Sequence, residues 1–112
     1  MLLQATNRLG EAEPLYRRAL AIDEASFGSE HPNVAIRLNN LAQLLRATDR
    51  LAEAEPLMRQ ALEIFVDFER KTSRQHPNRD AAIENYAGLL AAMGRSEAEI
   101  KAAFAGLTAG GG

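Results

Sequence analysis

Three pairs of glutamates spaced two apart, Glu11/Glu13, Glu53/Glu55 and Glu97/Glu99, come closest to chemical machinery in this sequence. Two carboxylates facing one substrate atom can divide general acid and general base duties. His31 and His76, each followed by proline, are the other candidates, as bases or metal ligands. Neither set survives its spacing. Residues two apart on a helix point about 200° apart, so the carboxylates of a pair cannot close on one atom. Near a helix N-terminus they are better explained by favourable interaction with the macrodipole. The histidines stand 45 residues apart and repeat because the joint around them repeats. The sequence has no cysteine, no Gly-x-Ser-x-Gly turn and no glycine-rich phosphate loop. It therefore reads as a non-enzyme with no catalytic, cofactor-binding or metal-ligating residues.

What positions these residues is a repeat. Residues 50–64, RLAEAEPLMRQALEI, match residues 8–22, RLGEAEPLYRRALAI, at 11 of 15 positions with an offset of 42. Ala54, Leu57, Met58, Ala61, Leu62, Phe65 and Phe68 recur at the spacing of an amphipathic helix, a stripe that one helix cannot bury alone. A second repeated stretch supplies the partner, because residues 31–45 (HPNVAIRLNNLAQLL) answer residues 76–90 (HPNRDAAIENYAGLL) at an offset of 45. Each unit is thus two helices, A and B, and the fold class is all-α.

In chain order, residues 2–8 align with residues 44–50, so the chain opens in the last turns of a helix A. Helix B of that unit is expected from about Leu9 to Ser26, with Ala12, Leu15, Tyr16, Ala19 and Leu20 inward, Pro14 near its first turn and Gly28 as a left-handed stop. The next helix A begins at Pro32, a residue suited to the first helical position, and buries Val34, Leu38, Leu41, Ala42 and Leu45. Its helix B starts near Leu51. Three extra residues before His76 are nearly one helical turn, so this helix should run to about Lys71 or Thr72. The third helix A is expected from Pro77 to Met93, with Ile83, Tyr86, Ala87 and Leu90 inward and Gly94 as the stop. A thinner cap helix should cover about residues 96–107, followed by a disordered glycine tail over 108–112.

Composition narrows the functional classes. The net charge of −2 gives no overall drive towards nucleic acid, and the basic cluster Arg70, Lys71, Arg74 and Arg79 lacks interleaved aromatics for stacking. The opening MLLQATNRLG is too short and too polar for a signal peptide or membrane span, which points to the cytoplasm. No nucleic acid and no membrane are expected as partners. At 100° per residue, Ile36, Asn40, Gln43 and Ala47 lie opposite the buried stripe of their helix, where a merely solvated face should be charged. None of the four is. The equivalent positions one unit on, Ala81, Asn85, Gly88 and Ala92, are again uncharged and keep the asparagine.

Two-helix units carrying EAEPLxxRAL, HPNVA and LNNLAxLL resemble tetratricopeptide repeats of the long variety found in kinesin light chains, over nearly all of residues 1–107. The resemblance implies a right-handed solenoid of antiparallel helix pairs, about two and a half repeats: a partial unit 1–28, a unit 29–73 and a terminal unit 74–107. It implies a protein interaction module, in which a partner peptide lies in the concave groove lined by the A helices. Asparagines at the places of Asn40 and Asn85 would hydrogen-bond the peptide backbone, as an amide both donates and accepts. Arg37, Arg46 and Arg50 at the rim, with Arg95 nearby, favour an acidic ligand, and Glu84 opposes it. The alternative is a structural spacer or self-association segment of a larger array without a ligand, in which copies pair through the incomplete N-terminal end.

Overall fold

The computed structural model describes residues 2–109, with side chains described over residues 9–107. It is all-helical over that range, in the order α1 (Leu2–Phe27), α2 (Pro32–Ala47), α3 (Leu51–Thr72), α4 (Arg79–Ala92) and α5 (Glu97–Ala109). The core lies along the α2–α3 pair, the most extensive packing in the molecule, with α1 on one side and α4 and α5 on the other. Val34, Leu38, Leu41, Ala42 and Leu45 of α2 meet Ala54, Met58, Ala61, Leu62 and Phe65 of α3, all at 2% exposure or less. Those are ten of the positions that helical periodicity marks as inward.

The joints show why these helices begin and end where they do. His31 caps α2, its Nδ1 accepting the Asn33 N–H at 3.0 Å, with Pro32 in the first turn. At the other end Arg50 N–H donates to Leu45 O at 2.8 Å and Asp49 N–H to Arg46 O at 3.0 Å, with Asp49 left-handed at φ 63°. That is a Schellman closure, and it ties off carbonyls that the helix end would leave open. The end of α4 repeats it: Arg95 N–H donates to Leu90 O and Gly94, at φ 86°, to Ala91 O, each at 3.0 Å. Gly28 also adopts positive φ, 87°. α3 reaches Thr72, as the three extra residues require, and closes on a left-handed Ser73. α5 is started by a capping box. Ser96 Oγ accepts the Glu99 N–H, and Glu99 returns a carboxylate oxygen to the Ser96 N–H.

Four expectations are corrected. First, α1 is one continuous helix from Leu2, with no turn separating a helix A remnant from helix B. The remnant is under two turns and cannot repay nucleation alone, whereas continuing α1 gives its residues i→i−4 bonds. In consequence Pro14 lies deep inside α1 rather than in its first turn. Second, Leu15 and Tyr16 are not inward; they are 65% and 40% exposed, because among the described residues no helix covers that side of α1. Third, α4 starts at Arg79, two residues after Pro77. His76 Nδ1 still accepts the Asn78 N–H at 3.1 Å, but Arg79 replaces the buried Val34 of the earlier unit and the first turn is not drawn into the core. Fourth, α5 runs to Ala109, two residues into the stretch expected as tail. Residues 110–112 of that tail, and Met1, lie outside the described residues.

Candidate peptide-binding groove

The outer face of α2 carries the first half of the expected groove. Asn40, Gln43 and Ala47 are exposed and Ile36 is half-buried against the core. All four line a row of clefts shared with α1. Ile36 and Arg37 face Asp23 and Phe27, then Arg37 and Asn40 face Tyr16 and Ala19, and finally Asn40, Gln43 and Ala47 face Leu9 and Tyr16. By its spacing Tyr16 reads as a core residue, unconnected with Asn40. No signal in the helix pattern marks it, because Tyr16 keeps the spacing of an inward stripe.

The second half of the expected groove lies on α4, where Ala81 and Ala92 are exposed and Asn85 and Gly88 half-buried. Gly88 is a point of contact between the two halves. A Cβ built there would stand 3.0 Å from Arg46 Nη1, so the guanidinium of Arg46 lies across α4 in the space a side chain would fill. The structure thus brings Arg46 and Gly88 together, on the neighbouring helices α2 and α4.

The rim arginines divide by partner. Arg37 Nε is 2.8 Å from Asp23 Oδ2. Arg50 is held by both Glu13 and Glu53, its Nε 2.6 Å from Glu53 Oε2. These bonds raise the Arg50 pKa further, Glu53 first and Glu13 second. They hold the Glu13 carboxyl below its ordinary range, chiefly through Arg50 and then Arg17, and the Glu53 carboxyl through Arg50. Among the described residues Arg46 and Arg95 form no ion pair.

The glutamate pairs acquire distinct structural partners. Glu13 and Glu53 converge on Arg50, Glu99 closes the α5 cap, and Glu55 accepts the Tyr86 hydroxyl at 2.7 Å. Tyr86 is 3% exposed and stacks edge-on to Phe104, so burial first and the Glu55 bond second push its pKa up. The histidine rings are packed as well as capping: His31 stacks on Phe27 at 4.6 Å, and His76 lies 4.9 Å from Phe65. Among the described residues no three His, Cys, Asp or Glu side chains could hold a metal ion, and no helix is long and apolar enough to cross a membrane.

No curated protein matches the chain. A family model described as tetratricopeptide repeat matches residues 1–65, which take in α1, α2 and α3 as far as Phe65. That match covers more than half of the 112 residues, and the HPN joint that opens α2 recurs ahead of α4 beyond it. With its helix pairs and their shared joints, the chain belongs to the tetratricopeptide repeat family.

Proposed function

We propose that this chain is a non-enzymatic, cytoplasmic protein interaction module of the kinesin light chain-like variety. It holds an extended segment of a partner protein across the outer faces of α2 and α4. The observation that carries this reading is the pair of asparagines one unit apart, Asn40 and Asn85, on helix faces that carry no charge at Ile36, Gln43, Ala47, Ala81, Gly88 or Ala92. An amide side chain can both donate to and accept from a peptide backbone. Uncharged neighbours leave room for the backbone to approach. With Arg37 and Arg50 engaged by carboxylates, the preference for an acidic ligand rests on Arg46 and Arg95. Tyr16, beside Asn40, offers a stacking or hydrogen-bonding edge at one end of the path.

A second reading, a spacer or self-association segment, draws on the exposed apolar residues of α1, Leu15, Tyr16, Ile22 and Phe27. A peptide-array screen separates the two. Sequence-selective binding enriched in acidic peptides supports the module. Silence on the array, with oligomers that grow with concentration, supports the spacer.

A further inference from the structure

The C-terminal ends of α1 and α3 meet in a cleft of about 360 Å³, and none of Asn40, Gln43, Asn85 or Gly88 lines it. Phe27 and Thr72, the last residues of the two helices, both face it, with Phe68 of α3 and Glu30 of the following loop. Irregularities of this chain build the cleft, not the repeat. Lys71 and Thr72 belong to the three residues by which α3 outruns α1 in the 42-residue register. In that register Phe27 and Phe68 answer to Glu69 and Ser26, so neither aromatic wall is repeated. Phe27 stacks on His31 with centroids 4.6 Å apart, yet it remains 49% exposed. Around these rings the charge is negative. A neighbouring cleft towards the last turns of α5 shares Glu30 and Asp67 and adds Glu63. Among the described residues Glu30 and Glu63 form no ion pair, whereas Arg70 and Lys71 are both held by Asp67, with Lys71 Nζ at 2.9 Å. Helix C-termini add partial negative charge, and the last turn of α1 carries no basic residue to answer it. The N-terminus of α2, of opposite polarity, is already capped by His31 Nδ1.

We propose that this cleft takes the side chain of an arginine presented by a partner segment. A guanidinium is planar and weakly hydrated, so it lies against a phenyl face while its N–H edge donates to a carboxylate. Phe27 and Phe68 supply the faces, and Glu30 supplies the free carboxylate. The other side-chain classes fit worse. A carboxylate would meet Glu30 and two helix C-termini of its own sign. A purely apolar side chain would strip water from Glu30 without replacing it. A lysine ammonium is a compact, strongly hydrated charge, and aromatic walls repay its lost water less well. Lys71 is the internal competitor, since it lines the cleft and occupies Asp67. Its side chain is 70% exposed, so its removal frees Asp67 for an incoming guanidinium at little cost to the fold. This site goes beyond the extended-peptide groove and uses none of its residues.

The test titrates the blocked peptide acetyl-Gly-Arg-Gly-amide into the whole, nitrogen-15-labelled protein, beside the same peptide with lysine or uncharged citrulline in place of arginine. The arginine peptide should give saturable shifts at millimolar concentration, largest at the amides of Gly28, Ser29 and Glu30. The lysine peptide should bind at least threefold more weakly, and the citrulline peptide should not saturate. Glu30→Gln should weaken the arginine peptide at least threefold, and Lys71→Ala should tighten it by a similar factor. Both variants should keep the wild-type melting temperature, because both side chains are exposed. Phe27→Leu keeps an apolar wall without the ring and should weaken binding as well. The proposal is overturned by no saturable shift at tens of millimolar arginine peptide, or by equal binding of the citrulline or lysine peptide. Affinity unmoved by Glu30→Gln, or lowered by Lys71→Ala, also overturns it. The extended-peptide reading survives each of these results, because it is tested through Asn40 and Asn85.

Discussion

Replacing Gly88 with alanine should stabilise the protein and, under the proposed function, weaken its hold on an acidic ligand. Gly88 lies inside α4, where glycine costs about 0.5–1 kcal/mol relative to alanine through backbone entropy. The methyl group would meet Arg46 Nη1 at 3.0 Å, Nη2 at 3.7 Å and Cζ at 3.8 Å. All three atoms belong to the far end of a flexible, exposed side chain with no ion pair among the described residues, so a shift of a few tenths of an ångström relieves the contact at little cost. The net gain should stay near about 0.5–1 kcal/mol, or roughly 2–5 °C in melting temperature for a domain of this size. Thermal unfolding followed by circular dichroism reads it directly. The guanidinium is simultaneously pushed off α4, so affinity for an acidic array-selected peptide should fall a few-fold, and Arg46→Ala should fall at least as far with little change in melting. A melting temperature several degrees lower in Gly88→Ala would refute the reasoning. It would mean that Arg46 is anchored and that its contact with α4 supports the fold.

Three further outcomes follow from the joints and the core. Tyr86→Phe removes the 2.7 Å bond to Glu55 and should cost about 1–2 kcal/mol in chemical denaturation; an unchanged midpoint would show that Glu55 regains as much from water. His31→Ala should cost about 0.5–2 kcal/mol by uncapping α2, while His31→Asn, which keeps a side-chain acceptor, should recover most of it; equal losses would move the role of His31 to its stacking on Phe27. Glu13, Glu53 and Glu99 have carboxyls held below their ordinary range by Arg50, with Arg17 assisting at Glu13, and by Ser96 at Glu99. Their folded pKa values are depressed, so the stability they lend is present above about pH 4.3 and lost as pH falls through the lower folded values. The acid limb of a melting curve should therefore be shallower in Arg50→Ala, and identical limbs would contradict the assignment.

The amphipathic stripes of α2 and α3 were legible because apolar spacing and burial answer to the same 3.6-residue period, and the length of α3 followed from counting residues between two copies of one joint. What the sequence concealed depends on what packs beside each element. Leu15 and Tyr16 carry the letters of an inward stripe, yet they are exposed, since periodicity reports which face could be buried and not whether a helix is there to bury it. Asn7 aligns with Asp49 and Gly94, both left-handed, and so reads as a turn. α1 continues through it because the corresponding turn after α2 is closed with α2 and α3 packed on each other. The capping role of His31 is not legible in its residue type, because histidine is outside the usual set of Ser, Thr, Asp and Asn caps. At the candidate site, the uncharged face of α2 was visible in the spacing. The pairing of Arg37 with Asp23 and of Arg50 with Glu13 was not, because those carboxylates lie 14 and 37 residues away.

The claim that Asn40 and Asn85 hold the backbone of a bound segment is tested most directly by calorimetric titration of an array-selected peptide into the wild type, Asn40→Ala, Asn85→Ala and the double variant, with each melting temperature measured alongside. Each single change should weaken binding a few-fold, the equivalent of about 0.5–1.5 kcal/mol for one hydrogen bond. The double change should weaken it further, while stability moves by no more than about 0.5 kcal/mol, as at other surface positions. The opposite ordering, a melting temperature lower by many degrees with affinity altered only as far as folding is, would contradict the account and make the two asparagines supports of the helix stack.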